Sequence, residues 1–442
     1  IGIMPSTLYL NSKQWNIQSS EATIRGKEIR VPSLEFTSGE EAIRLSGGTS
    51  TNQKDTIALY LERFDISLFN SLIGNNFGLQ GAASGKVMLT SPIEEAALIG
   101  EIICDSTSIC GRPVGELNIS STWNEEFKRF DLVFQNRIGQ KRSIFLTGNY
   151  SPGHQFLNAD VLFDGFDVAY VKPLVQDIFS DIGGELSGRV VLEGPPASLA
   201  ISSEDTRIDN GLLHIGYTNV PYSVDGDFHI DSEGVWFDNI SISDRYDGTG
   251  RVSGSINWDY FRNLSFDTSV IVNQMECIDV DEQQAEYFYG NAFANGKVHI
   301  GGPIEAIVLS VDATTTKPGH LHIPISGIDT SHGTTDLLQF KQPYVQVKID
   351  PYEEMLRKLR QKKTSGSDFG VNLRVNATQD VEAFVEIDKA SGNVLSGKGN
   401  GLINLEVGTE LFSIKGDYRL TSGKYRFSAM NTINIFHVHH LM

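Results

Sequence analysis

The sequence predicts an all-β fold: an elongated, repeat-built sheet folded into a hydrophobic trough, with a few short helices. Three observations carry this expectation. A glycine-centred block recurs at nearly constant spacing along the 442 residues. Apolar and polar residues alternate with period two through most of the chain. The 43 glycines and 24 phenylalanines, against 6 methionines, favour turns and strands over helices.

The block reads Ala83-Ser84-Gly85-Lys86-Val87-Met88-Leu89, then Leu186-Ser187-Gly188-Arg189-Val190-Val191-Leu192, then Ala294-Asn295-Gly296-Lys297-Val298-His299-Ile300. A looser copy is Gly399-Asn400-Gly401-Leu402-Ile403-Asn404-Leu405. Its glycines lie 103, 108 and 105 residues apart (188−85, 296−188, 401−296). A period this long requires several strands per unit, and each unit then contacts mainly its neighbours.

Alternation defines the strands. Leu157, Ala159, Val161 and Phe163 share one face, with Asn158, Asp160 and Asp164 on the other. The same pattern runs through Val252 to Trp258, Leu264 to Val272, Val345 to Ile349, Val371 to Val375 and Val381 to Ile387. Asp209-Asn210-Gly211, Asp225-Gly226, Asp247-Gly248 and Ser391-Gly392-Asn393 read as turns between them. Phe64 to Ile73 and Phe166 to Val175 precede two of the repeat blocks and have helical apolar spacing, so each reads as a short helix beside the sheet. Tyr352 to Lys363 is also helix-prone, with acids first and bases last, which suits the helix dipole. It reads as a solvated helical or disordered insertion, with a basic membrane or partner contact as the functional alternative. At about 15 residues per strand and turn, roughly 29 strands stacked about 4.8 Å apart would extend on the order of 140 Å.

Composition excludes some function classes. The net charge of −19 opposes nucleic-acid binding through counterion release, and also a general attraction to anionic membrane surfaces. Of the three cysteines, Cys104 and Cys110 are spaced either for a tight disulfide or as two small strand residues. No run approaches the eighteen or so apolar residues of a membrane span. The opening Ile1-Gly2-Ile3 lacks an initiator Met and suggests a piece of a longer protein.

No catalytic constellation emerges, so no enzyme activity, catalytic residue, cofactor or metal is expected. Asp368-Phe369-Gly370 matches a kinase tripeptide but has none of its companion motifs. Gly397-Lys398-Gly399-Asn400-Gly401 is followed by a strand rather than by the helix N-terminus a phosphate loop needs. His437, His439 and His440 cluster without further ligands, and His320 and His322 read as the wet face of a strand.

Tyr289-Gly290-Asn291-Ala292, Gly296-Lys297-Val298, Gly301-Gly302-Pro303, Thr314-Thr315-Thr316, Ile323-Pro324-Ile325 and Asp336-Leu337-Leu338-Gln339-Phe340 resemble the C-terminal domain of the TamB family. So do Asp388-Lys389-Ala390-Ser391-Gly392, Gly399-Asn400-Gly401, Gly416-Asp417-Tyr418 and Gly423-Lys424-Tyr425-Arg426-Phe427. The resemblance extends from about Ser180 to Asn434 and rests on the repeat alone before that. Beyond Asn434 the family pattern calls for further strands, where this chain reads Phe436-His437-Val438-His439-His440-Leu441-Met442. Four regions are expected: β-groove repeats over 1–181, TamB-like repeats over 182–340, a strand and charged insertion over 341–370, and a C-terminal groove portion over 371–442. The resemblance implies a sheet folded lengthwise, the β-taco, in an AsmA-like subunit of the translocation and assembly module of Gram-negative envelopes. It further implies a periplasmic body, an inner-membrane anchor outside this chain, and a BamA/TamA-like outer-membrane barrel as partner. Two roles follow from it: conducting phospholipid between the membranes, and acting as scaffold or chaperone for outer-membrane protein assembly.

The residues support a trough independently. An apolar sheet face needs a cover, and no series of amphipathic helices is available to provide one. Equivalent repeat positions give the expected lining for phospholipid acyl chains: Val87, Leu89, Val190, Leu192, Val298, Ile300, Ile403 and Leu405. Alternation adds Phe163, Phe228, Phe266, Val347 and Phe427. Ordinary core packing is the alternative for each, and an adhesin or stalk with a dry interior is the corresponding alternative for the whole chain.

Overall fold

The computed structural model describes residues 2–10, 13–26, 28–49, 55–70, 78–90, 98–176, 179–259, 262–283, 288–324, 370–388, 392–408, 412–429 and 432–439. Among the described residues the fold is all-β: 79% strand and 4% helical, with no helix of seven residues or more. The described residues form 28 strands, close to the number expected from the spacing of alternation and turns. The Tyr352 to Lys363 segment and the 341–369 insertion lie outside the described residues, as does Val347.

The chain divides into two compact units. One comprises Ile1–Gly216, Pro221–Ile240 and Trp258–Arg262; the other comprises Tyr217–Val220, Ser241–Asn257 and Asn263–Met442. In the first, strands pair antiparallel in chain order. The sequence is Glu28–Ser38, Glu41–Thr49, Thr56–Asp65, Gln80–Thr90, Leu98–Ile109, Arg112–Asn124, Arg129–Arg137, Ile144–Ser151, Phe156–Asp167, Phe179–Gly194 and Ala200–Ile215. Sequential antiparallel pairing is what short turns between alternating segments allow.

Both segments with helical spacing begin as strand. The sheet holds Phe64-Asp65 and Phe166-Asp167, and only then does a 3-10 turn form, over Ile66–Phe69 and Val168–Val171, the second continued by α-helix Lys172–Val175. The same side chain starts both turns. Asp65 accepts from the Ser67 N–H and Asp167 from the Ala169 N–H, each at 2.9 Å, satisfying an amide the turn cannot pair internally. Beneath the first turn lies a dry core of Trp15, Phe64, Ile66, Ala83 and Cys104. Burial raises the Cys104 thiol pKa, and no disulfide joins it to Cys110.

Two expected turns lie inside strands, and the first is a bulge. Asp209-Asn210-Gly211 lies within Ala200–Ile215, and Asp225-Gly226 within Val220–Ile230. Asn210 has φ +50°, beside the register shift between Gly183 and Glu185. Asn and Gly tolerate a left-handed backbone, and bulges use that property as readily as hairpins do.

The repeated glycine stands where strands approach too closely for a side chain. Gly188 has φ +132°, and a Cβ there would lie 2.6 Å from the Thr206 Cα. At Gly401 a Cβ would meet the Asp417 carbonyl oxygen at 2.1 Å. Gly188→Ala is therefore expected to destabilise the fold by about 2 kcal/mol through strain and overpacking. Thermal unfolding against Gly153→Ala, whose Cβ would meet nothing within 4 Å, is the measurement; equal midpoints would refute the close-approach account.

In the second unit, Arg262–Val280 pairs antiparallel with Tyr289–Pro303, which pairs with Val308–Thr315 and Gly319–Pro324. These two strands pair in parallel with Gly370–Ala377 and Val381–Asp388, respectively. A tight turn cannot join a parallel pair, and Gly370 follows Pro324 by 46 positions (370−324). Both strands of the pair break at the same level, and threonines join the breaks. The Thr378 amide donates to Thr315 Oγ1 at 2.8 Å, and Thr378 Oγ1 donates to the Thr315 carbonyl at 3.1 Å. Asn393–Val407, Phe412–Ala429 and Thr432–His439 complete this unit's antiparallel order.

Candidate functional site

Register places the apolar positions of successive strands side by side. In the first unit one cross-strand row runs Leu61, Gly85, Ile102, Ile119, Phe134, Leu146, Val161, Val190. A second runs Leu59, Val87, Gly100, Ser121, Leu132, Gly148, Ala159, Leu192, Ile201. In the second unit Val270, Val298, Val311, Leu373 and Leu405 face one another in turn, beside Val272, Gly296, Ala313, Val375 and Ile403. The rows contain no charged residue. The charged residues lie on the opposite face, among apolar ones such as Val133 and Leu162: Lys86, Glu101, Asp160 and Arg189 with Asn118 in the first unit, and Lys297, His299, Arg374, Asn372 and Asn404 in the second. Arg189 pairs with Asp160 at 2.5 Å, and Asn118 donates to Glu101 at 2.7 Å.

Burial separates lining from packing. Val87, Leu89, Phe163, Leu192, Phe228, Phe266, Val298, Ile300, Ile403 and Leu405 are all half-buried. Ile119, in the middle of the first row, is 41% exposed. Val190 is only 5% exposed and is packed like core, as is Val161. Phe427 is 37% exposed, opposite Asn434. Equivalent repeat positions therefore differ: Val190 sits between Val161 and Ser203, whereas Val298 sits between Val270 and Val311.

At one end of the Phe156–Asp167 strand the apolar row runs into a charged cleft. Phe163 meets Phe166 with ring centroids 5.4 Å apart, and Phe166 meets Tyr170 at 5.3 Å. Tyr170 donates to the Pro113 carbonyl at 2.7 Å and lines a cleft of about 430 Å³ with Arg112, Ile138, Lys141, Ser143 and Asp167. Burial, then the Asp167 charge, raises the Tyr170 phenol pKa against the opposing pull of Arg112.

His322 departs from the wet-face reading. Its ring stacks between Tyr289 and Phe384, at centroid distances of 4.4 and 4.3 Å. Its Nδ1 lies 3.0 Å from Oε1 of buried Glu386, which also accepts from the Tyr289 hydroxyl. Burial, then that hydrogen bond, raises the Tyr289 phenol pKa. Adjacency of Tyr289, His322 and Phe384 follows from pairing across three strands, which sequence alternation alone does not reveal. Among the described residues no cluster of His, Cys, Asp and Glu could hold a metal ion.

A long sheet with uncharged apolar rows on one face and the charges on the other is the architecture of a β-groove protein. Residues 238–437 match the family model of the TamB C-terminal domain, and the match supports the TamB resemblance over this portion of the chain. The match begins later than Ser180; the earlier region shares the glycine block and its register without matching the model. No curated protein and no solved structure matches the chain. The family associates it with the translocation and assembly module and, at a coarse level, with transport of lipid or protein in the envelope. The family also implies a TamA-type outer-membrane partner and an inner-membrane-anchored protein that spans the periplasm. No helix among the described residues is long and apolar enough to cross a membrane.

Proposed function

We propose that the apolar rows conduct phospholipid acyl chains between the inner and outer membranes, with the head group held at the wet edge. The carrying observation is the charge-free apolar row across consecutive strands, from Leu61 to Leu146 in one unit, open at Ile119, and from Val270 to Leu405, half-buried throughout, in the other. A sixteen-carbon chain crossing water bare would forfeit roughly 12 kcal/mol at about 0.8 kcal/mol per methylene. A continuous lining removes most of that barrier while leaving successive positions nearly equal in energy. Sliding then needs no chemical step, and the protein acts without being an enzyme.

Gentle purification, solvent extraction and mass spectrometry, with an unrelated envelope protein as control, test this reading. Stoichiometric phospholipid is expected, and no enrichment over the control would overturn it. A second reading, a scaffold for assembling outer-membrane barrels, draws support from Thr432–His439. There Ile433, Ile435 and Phe436 are 55–57% exposed, on the last described strand, which pairs with Phe412–Ala429. An edge of this kind can accept a client strand. Client binding that is saturable and survives delipidation would favour the scaffold.

A further inference from the structure

We infer that the cleft at Arg112, Lys141 and Asp167 is a station for a zwitterionic phospholipid head group of the phosphoethanolamine type. The inference rests on the lipid-groove reading and adds head-group selection to it. Three observations converge.

First, the cleft is continuous with the lining. Phe163, Phe166 and Tyr170 form an unbroken aromatic contact path from the apolar row to the cleft wall. A lipid whose tail lies along Ile144 and Phe163, half-buried and paired across neighbouring strands, would present its polar end here.

Second, the cleft and its margin carry both signs of charge, with Arg112, Lys141 and Asp167 in the lining and Glu185 beside Lys141. Arg112 Nη1 lies 3.0 Å from Asp167 Oδ2, and Lys141 Nζ lies 3.6 Å from Glu185 Oε1. All four side chains are between 35% and 54% exposed. A bare anion would meet two carboxylates, and a bare cation would meet two bases. A phosphate with an ammonium two carbons away satisfies both: phosphate toward Arg112 and Lys141, ammonium toward Asp167 and Glu185. Arginine and lysine are suited to phosphate oxygens, and carboxylates to ammonium protons.

Third, the backbone leaves room for such a group. Gly165 has φ +62°, and a Cβ there would lie 2.6 Å from Lys141 Nζ and 3.4 Å from Glu185 Oε2. Glycine keeps these two charges accessible from the end of the strand. The cleft volume of about 430 Å³ falls within the usual range for small-ligand sites.

The test uses the full chain, loaded from vesicles of equal phosphatidylethanolamine and phosphatidylglycerol, then re-isolated and extracted. The wild-type chain is expected to enrich phosphatidylethanolamine about three-fold, the effect of one or two half-exposed charge pairs. Lys141→Gln and Glu185→Gln should move the ratio in opposite directions. Loss of Lys141 weakens the hold on phosphate in both lipids and leaves the acids to repel the anionic one, so the ratio rises. Loss of Glu185 removes the ammonium partner and that repulsion, so the ratio falls toward or below one. A purely structural role would shift both variants alike. Asp167 stays unchanged because it also caps the following turn.

A second arm offers glycerophosphoethanolamine and glycerol phosphate, which have no acyl chains, and follows saturation transfer by NMR. Preferential signal from the zwitterion, reduced in Glu185→Gln, supports the station even if no whole lipid is retained. Lipid retained by the wild type at the vesicle ratio, unchanged in both variants, would overturn the station and leave the groove standing. Absence of both retained lipid and head-group signal would overturn both.

Discussion

Leu405→Asp and Val298→Asp are expected to empty the chain of phospholipid while leaving it folded. Both side chains are half-buried in the cross-strand row that includes Val270, Val311 and Leu373. An aspartate there can keep its water, so the folded state loses little. An acyl chain passing it cannot approach without stripping that water. Excluding about four methylenes forfeits about 3 kcal/mol, roughly a hundred-fold weaker retention. Asn404→Asp is the matched control. It is adjacent to Leu405, exposed on the opposite face, and faces Arg374 and Lys415 across the strands. It should retain wild-type lipid. Val190→Asp is expected to behave differently despite its equivalent place in the repeat, because at 5% exposure an aspartate would be buried unpaired and would unfold the chain. Extracted lipid per mole of protein, read beside circular dichroism, separates the outcomes. Full lipid retention in folded Leu405→Asp and Val298→Asp would remove the case for these rows as the conduit.

The contrast between Val190 and Val298 marks how far the sequence could be read. Strand periodicity was legible because alternation is a local property: each residue's face follows from its neighbour's. The glycine block was legible as a repeat, although its cause, backbone contact such as that of Gly188 with Thr206, appears only once the facing strand is in place. Whether a lining position is open or packed depends on side chains that register brings alongside from other strands. Val190 meets Val161, and Val298 meets Val270 and Val311. The bulge at Asn210 was hidden for a related reason, since a left-handed residue in isolation does not distinguish a chain reversal from an extra residue within a ladder. The charged cleft escaped alternation because its groups come from two strand ends, a strand interior and a turn: Arg112, Asp167, Glu185 and Lys141.

Arg245 presents the same difficulty in a more severe form, since its partners lie 31 and 34 residues away. Its guanidinium meets Glu276 through two hydrogen bonds, Nε to Oε2 at 3.0 Å and Nη2 to Oε1 at 2.9 Å, and reaches Asp279 Oδ2 at 2.5 Å. The hydrogen bonds that Arg245 donates to Glu276 and then to Asp279 raise its pKa, so it stays charged at any working pH. Glu276 is 0% exposed. A carboxylate buried that deeply is tolerated because a planar fork neutralises both of its oxygens. Arg245→Ala is expected to destabilise the fold by about 3 kcal/mol, the low end for breaking a buried pair, because the arginine itself is half in water. Arg245→Lys keeps the charge but loses the fork, so it should fall between wild type and Arg245→Ala. The decisive variant is the double one, Arg245→Ala with Glu276→Gln. If the loss comes from a stranded charge, removing that charge restores part of the stability, and denaturant midpoints should rise from the single to the double variant. If the double variant is weaker still, Arg245 acts through packing against Tyr246, whose ring lies 5.1 Å from the guanidinium carbon, rather than through charge.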